Sequence, residues 1–204
     1  MGRERGDERA LIDSARRGDD AAFEALIRTH GPHLLRLASA ILGDRQAAED
    51  AVQDALVHAW RGLSNFRGEA ALSTWLHTIT VRTCRRHAAR ASRAETCDIA
   101  RHAEALWADA DYSVDPVAVL TRSAERDELR AALDSLPEPY RIAVLLHDVE
   151  GLSAARVAVI TGCPLGTAKS RIRRGRAALV TALDRDRRAQ DHAPTSQELE
   201  ERKA

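Results

Sequence analysis

The stretch 161-TGCPLGTAKSRIRRGR-176 joins a turn signal to one lysine and four arginines, and it carries no acid. Gly162 suits the left-handed end of a helix, and Pro164 suits the first position of the next one. Upstream, 153-SAARVAVIT-161 reads as a short helix with Ser153 as its N-cap. A short helix, a glycine-centred turn and a second helix predict a helix-turn-helix. In the second helix Ala168, Ile172, Gly175, Leu179 and Leu183 recur at three- and four-residue steps and predict the core-facing stripe. Thr167, Lys169, Ser170, Arg171, Arg173 and Arg174 then face solvent, with Arg176 at the edge of the stripe. Such a helix enters the DNA major groove by its N-terminal half, where Lys and Arg read guanine edges. Arginines further along hold phosphates and fix position without reading sequence. A merely solvated basic face is the alternative. The absence of any acid from 169–176, against the mixed charge of the other predicted helices, argues against it.

The charge is concentrated locally, because the chain as a whole has 31 basic and 31 acidic residues. Arg82–Arg93 holds five arginines, a histidine and no acid, and Lys169–Arg188 holds eight basic residues against two acids. Between them, Glu95–Glu128 holds nine acids and three arginines. Two basic islands flanking an acidic stretch predict two polyanion-binding surfaces and a linker. Aromatics at 3% and scarce β-branched runs point to an all-α fold of two small helical domains, the second a helix-turn-helix.

The remaining helices follow from apolar spacing. A first is predicted over 20-DAAFEALIRTH-30, capped by Asp19 or Asp20 and broken by Gly31-Pro32. A second covers 33-HLLRLASAIL-42 and ends at Gly43-Asp44. The third, 46-QAAEDAVQDALVHAWRGL-63, puts Ala48, Val52, Ala55, Leu56, Ala59 and Leu63 on one stripe and an acidic ridge of Glu49, Asp50, Gln53 and Asp54 opposite. After a loop, 64-SNFRGEA-70, a fourth helix runs from about Leu72 to Arg90, apolar early and basic late. Residues 1–18 form an N-terminal extension, 19–91 the first domain, 92–116 a flexible linker and 117–188 the second domain. The second domain opens with helices over 117–136 and 138–150. The last helix ends near Arg188, and 189–204 reads as a disordered tail.

No segment approaches the ~20 apolar residues of a membrane span. Three cysteines without a disulfide framework, and no apolar leader, predict a soluble protein of the reducing cytoplasm. Cys84, His87, Cys97 and His102 suggest a metal or redox sensor, but their order and spacing match no common zinc module. Cys163 needs no redox role. No phosphate loop, nucleophile elbow or carboxylate pair stands out, so neither enzyme activity nor a cofactor is expected.

The stretch 136-LPEPYRIAVLLHDVEGLSAARVAVITGCPLGTAKSRIRRGRAAL-179 resembles the C-terminal promoter-binding domain of extracytoplasmic-function (ECF) sigma factors. Independently, 23-FEALIRTHGPHLLRLASAILGDRQAAEDAVQDALVHAW-60 and 66-FRGEAALSTWLHTI-79 are similar to the domain of that family that binds core RNA polymerase and the minus-10 element. The resemblance implies a promoter-specificity subunit of bacterial RNA polymerase. It implies docking of Asp50, Gln53 and Asp54 on the coiled coil of the largest polymerase subunit, and contact with the polymerase flap. It implies minus-10 capture by Asn65, Phe66, Arg67, Arg82, Arg85 and Arg86. Minus-35 reading falls to Thr167, Lys169, Ser170, Arg171, Arg173, Arg174 and Arg176. It also implies a cognate anti-sigma factor as partner. Arg82 stands where many relatives carry asparagine, Thr161 where they carry leucine, and Ala155 and Arg156 where glutamates are common. A stand-alone helix-turn-helix regulator is the alternative, and the acidic docking helix argues against it.

Overall fold

The computed structural model describes residues 2–95 and 127–191, all of whose regular structure is helical. Helix α1 spans Gly2–Arg16, α2 Asp20–Leu42, α3 Arg45–Gly62 and α4 Leu72–Glu95, with a 3₁₀ turn at Leu63–Asn65. In the second group α5 covers 127–134, α6 Glu138–Val144, α7 Ala154–Thr161 and α8 Leu165–Asp191. Helix α6 widens at its end into a π-type turn over Leu145–Val149.

The local signals that set these ends are polar caps. Asp19 accepts from the Ala22 N–H at 3.1 Å and Asp44 from the Ala47 N–H at 2.7 Å, satisfying amide groups that the first turn leaves unpaired. Gly43, at φ +71°, closes α2 in the left-handed conformation that glycine adopts without a Cβ penalty.

Several boundaries differ from expectation. The Gly31-Pro32 break does not occur: α2 runs through Pro32. A proline inside a helix removes one backbone hydrogen bond, and here Leu26 before it and Leu34, Leu37 and Ile41 after it are buried on one face. Packing on both sides outweighs that loss. The N-terminal extension 1–18 is largely helix α1, whose Ala15 is buried and whose Leu11 and Ile12 pack against the core. Helix α4 passes Arg90 to Glu95, so 92–95 belong to it rather than to the linker; 96–116 lie outside the described residues. Of the helix expected over 117–136, residues 117–126 also lie outside them. Pro164 precedes α8 rather than opening it, and α8 continues past Arg188 to Asp191. The rest of the expected tail, 192–204, is not among the described residues.

Helices α2, α3 and α4 pack together with α1 against α2, while α6 and α7 pack on α8. The two groups meet directly, α4 against α7 and α2 against α6 and the π-type turn. One cluster of buried side chains runs through both, from Ala15 to Ile172. Polar contacts tie the groups as well. Arg85 Nε donates to Glu138 at 2.7 Å, and the Arg130 guanidinium donates to the Gly43 carbonyl.

At this junction His77 is 5% exposed, and neither ring nitrogen meets a hydrogen-bond partner. Its Nε2 lies 3.5 Å from the buried Glu150 carboxylate, which His33 also faces at 3.8 Å. Burial pushes the His77 pKa down, Glu150 opposes that shift, and the nearby charge of His30 adds to it. His30 is itself paired with Glu8 at 2.9 Å. The folded state therefore binds fewer protons at this site than the unfolded chain. Stability is fully present above pH 6.5 and falls as acid protonates the unfolded chain first, by up to about 1.4 kcal/mol per pH unit. Thermal melts at pH 7.5 and 5.5 should show a smaller acid-induced drop for His77→Gln than for the wild type. Equal drops would exclude His77 as the source.

Candidate nucleic-acid and polymerase interface

The helix-turn-helix is built as its sequence predicts. Ser153 caps α7 through the Arg156 N–H at 3.3 Å, without the capping-box glutamate that Arg156 displaces. Gly162, at φ +67°, ends α7, and the Cys163 N–H returns to the Ala158 carbonyl at 3.0 Å. The Thr161 hydroxyl donates to the Val157 carbonyl at 2.7 Å, so this threonine satisfies its polar group locally. Ala168 and Ile172 are buried, and Gly175 lies against α6. That seating turns Lys169, Arg173 and Arg174 outward, where all three are exposed. None of the ion pairs found among the described residues involves them. Thr167, Ser170 and Arg171 are half-buried on the flanks. Arg176 differs from the other arginines because its guanidinium grips both oxygens of Asp148, Nε at 3.1 and 3.0 Å. That grip holds the Asp148 carboxyl below its usual range and fastens α8 to the π-type turn.

In the first group the acidic ridge of α3 faces outward. Asp50, Gln53 and Asp54 are exposed. Asp54 accepts from His87 Nε2 at 3.0 Å, and that hydrogen bond lowers its pKa. Glu49 pairs with Arg45 at 2.7 Å within the helix.

The 3₁₀ turn and the loop after it present Asn65 and Arg67 to solvent, whereas Phe66 is 8% exposed. The Phe66 ring rests on Trp75 with centroids 5.1 Å apart. Along α4, Arg82 is exposed, Arg86 donates to the Thr83 hydroxyl at 3.1 Å, and Arg85 is held by Glu138. Beside these arginines α4 buries a polar stripe of Thr74, His77, Thr80 and Thr83. No sequence signal marked that stripe, because its cover comes from distant segments. Cys84 on α4 is buried, its thiol pushed up to about 12 by desolvation, which leaves no reactive thiolate. His87 is engaged with Asp54, and Cys97 and His102 lie outside the described residues. Among those residues no group of three or more His, Cys, Asp or Glu side chains is arranged to hold a metal ion. No helix among them is long and apolar enough to cross a membrane.

Residues 26–94 match sigma-70 region 2 and residues 126–179 match sigma-70 region 4. The chain is 35% identical over 181 residues to the RNA polymerase sigma-H factor of Pseudomonas aeruginosa, covering 86% of this chain and 93% of that one. The ECF RNA polymerase sigma-E factor of Escherichia coli K12 is 32% identical over 179 residues, covering 84% of this chain and 92% of that protein. The chain belongs to the ECF sigma factors. Among solved structures, the sigma factor RpoE in complex with the anti-sigma factor NepR from Bartonella quintana aligns with a TM-score of 0.64 at 27% identity, over 79% of this chain and 96% of that one. CnrH in complex with the cytosolic domain of CnrY aligns at 0.63 and 26% identity, over 88% and 99% of the two chains. This sigma factor directs transcription initiation by RNA polymerase, and members of its family are initiation factors rather than enzymes.

Proposed function

We propose that this sigma factor divides its task between residues 19–91 and 117–188. Asp50, Gln53 and Asp54 dock on the coiled coil of the largest polymerase subunit, and an exposed acidic ridge suits a basic partner. Asn65, Phe66 and Arg67, with Arg82, Arg85 and Arg86, take the melted minus-10 strand. Phe66 forms the floor beneath a captured base rather than an open stacking platform, since its ring is already covered by Trp75. Thr167, Lys169, Ser170, Arg171, Arg173 and Arg174 read the minus-35 element in the major groove. Arg176 positions α8 through Asp148. The observation that carries this reading is the outward cluster of Lys169, Arg173 and Arg174 in the N-terminal half of α8, directly after the turn and in no ion pair found among the described residues.

Work on promoters places the protein in the cytoplasm. Both solved relatives described above hold a partner, an anti-sigma factor in the first and the cytosolic domain of CnrY in the second. That supports an anti-sigma partner for this chain too.

Run-off transcription with purified core polymerase tests the reading. The wild type should direct discrete starts. Asp50→Arg should weaken core binding by at least about tenfold, because it replaces an attractive contact with a like-charge one. A protein that neither binds core nor directs a specific start would refute it.

A further inference from the structure

Helix α1 lies outside the region-2 match, which begins at residue 26. It nevertheless forms half of a cleft of about 240 Å³ whose other half is the loop proposed above to take the minus-10 base. Arg9, Asp13 and Arg16 line it from α1, facing Phe66, Arg67 and Gly68. Phe66 supplies an apolar floor braced by Trp75. Gly68 turns the loop at φ +73° with nothing within 4 Å of where a Cβ would stand, so that corner of the cleft is open.

The charges around the cleft are largely uncommitted. Arg9 and Arg67 are exposed and take part in no ion pair found among the described residues. Arg16 has only a loose contact with Asp13 at 3.8 Å. The nearby Glu8 is taken by His30 at 2.9 Å. Three guanidinium groups around an apolar floor with one spare carboxylate match what an extruded nucleotide requires. Phosphates are held by cations, the base face meets an apolar surface, and its edge meets a hydrogen-bonding group.

We propose that α1 is the second wall of the base-capture pocket. Arg9 and Arg16 hold the phosphates flanking the captured base, and Asp13 is the acceptor that selects it. A carboxylate accepts from an exocyclic amino group, which cytosine, adenine and guanine carry and thymine lacks, so the pocket disfavours thymine. The inference rests on the reading of 64–86 as the minus-10 surface.

The test uses holoenzyme formed from core polymerase and the full chain. It is presented with a random single-stranded DNA library of about twelve nucleotides, within the usual site sizes for single strands. The wild type should deplete thymine at one position. Asp13→Asn, which can both donate and accept, should flatten that preference while retaining affinity. Arg9→Ala and Arg16→Ala should each weaken binding severalfold and shrink the slope of log affinity against log salt by about 0.7, the loss of one single-strand phosphate contact. All three positions are exposed, so folding should be preserved. If the three variants match the wild type in enrichment and slope while an Arg82→Ala/Arg86→Ala holoenzyme loses the library, the inference is overturned and the reading of 64–86 stands. If that last holoenzyme also binds like the wild type, the reading of 64–86 falls and takes the inference with it.

Discussion

A Lys169→Ala/Arg173→Ala variant is expected to lose specific transcript on the order of a hundredfold in run-off assays while binding core polymerase as the wild type does. Each side chain is exposed, in none of the ion pairs found among the described residues, and one helical turn from the other on α8. A good base-edge contact is worth about 1–3 kcal/mol of discrimination, and two losses at separate base pairs compound. Neither residue supports the fold: the seating of α8 is carried by Ala168, Ile172 and Gly175 on the other face. Fluorescence titration against core, run beside the transcription assay, separates the two effects. Loss of core affinity in this variant would contradict the division of labour proposed here.

Replacing Gly175 with alanine should destabilise the second helical group by about 1–3 kcal/mol, as overpacking a filled core does. A Cβ at this position would stand 2.6 Å from Val144 Cγ2 and 3.0 Å from the Tyr140 carbonyl oxygen. The valine methyl has little room to move, and the carbonyl belongs to the backbone of α6, so the two helices must separate. The melting temperature should fall by roughly 2–8 °C for each kcal/mol lost, for a domain or chain of this size. Gly166 on the same helix is the internal control, because a Cβ there meets nothing within 4 Å. Gly166→Ala should leave the melting temperature unchanged or raise it slightly, since alanine is the better helix former. Equal calorimetric traces for the two variants would show that the close approach of α6 and α8 is not what Gly175 serves.

The helix-turn-helix was legible because its signals are local. A capping serine, a left-handed glycine and an apolar stripe at helical spacing all lie within one stretch and agree with one another. The same holds for the stripe of α3 and the cap Asp19, whereas Asp44, expected only as the end of the preceding helix, proves to cap α3. What escaped the sequence depends on residues far apart in the chain. Pro32 looks like a stop, and only the burial of Leu26, Leu34 and Leu37 against other helices explains why α2 continues. His77, Thr80 and Thr83 look like solvent residues on a helix whose other face is already apolar. They are buried because other helices cover them, as Glu150 does for His77. In the candidate site, the exposed arginines were found by charge alone. The engagement of Arg85 by Glu138 and of Arg176 by Asp148 required the packing that brings those pairs together. Helix α1 was missed as a wall of the cleft because its residues carry ordinary amphipathic spacing and no motif.

The Arg85–Glu138 pair makes one guanidinium answerable to two anions. On the reading proposed here, a DNA phosphate and the Glu138 carboxylate compete for it, and they cannot both be served by the same side of one arginine. Competition of this kind is reciprocal by thermodynamic linkage. Whatever strand binding gains by taking Arg85, the contact between the two helical groups loses, and any partner that favours those groups together weakens the strand by the same factor. A single partly exposed pair is worth little, about 0–1 kcal/mol. It is flanked, however, by the Arg130–Gly43 contact and the histidines around Glu150. On that reading salt acts on promoter affinity twice, once at the phosphates themselves and once at the seam that shares Arg85 with them.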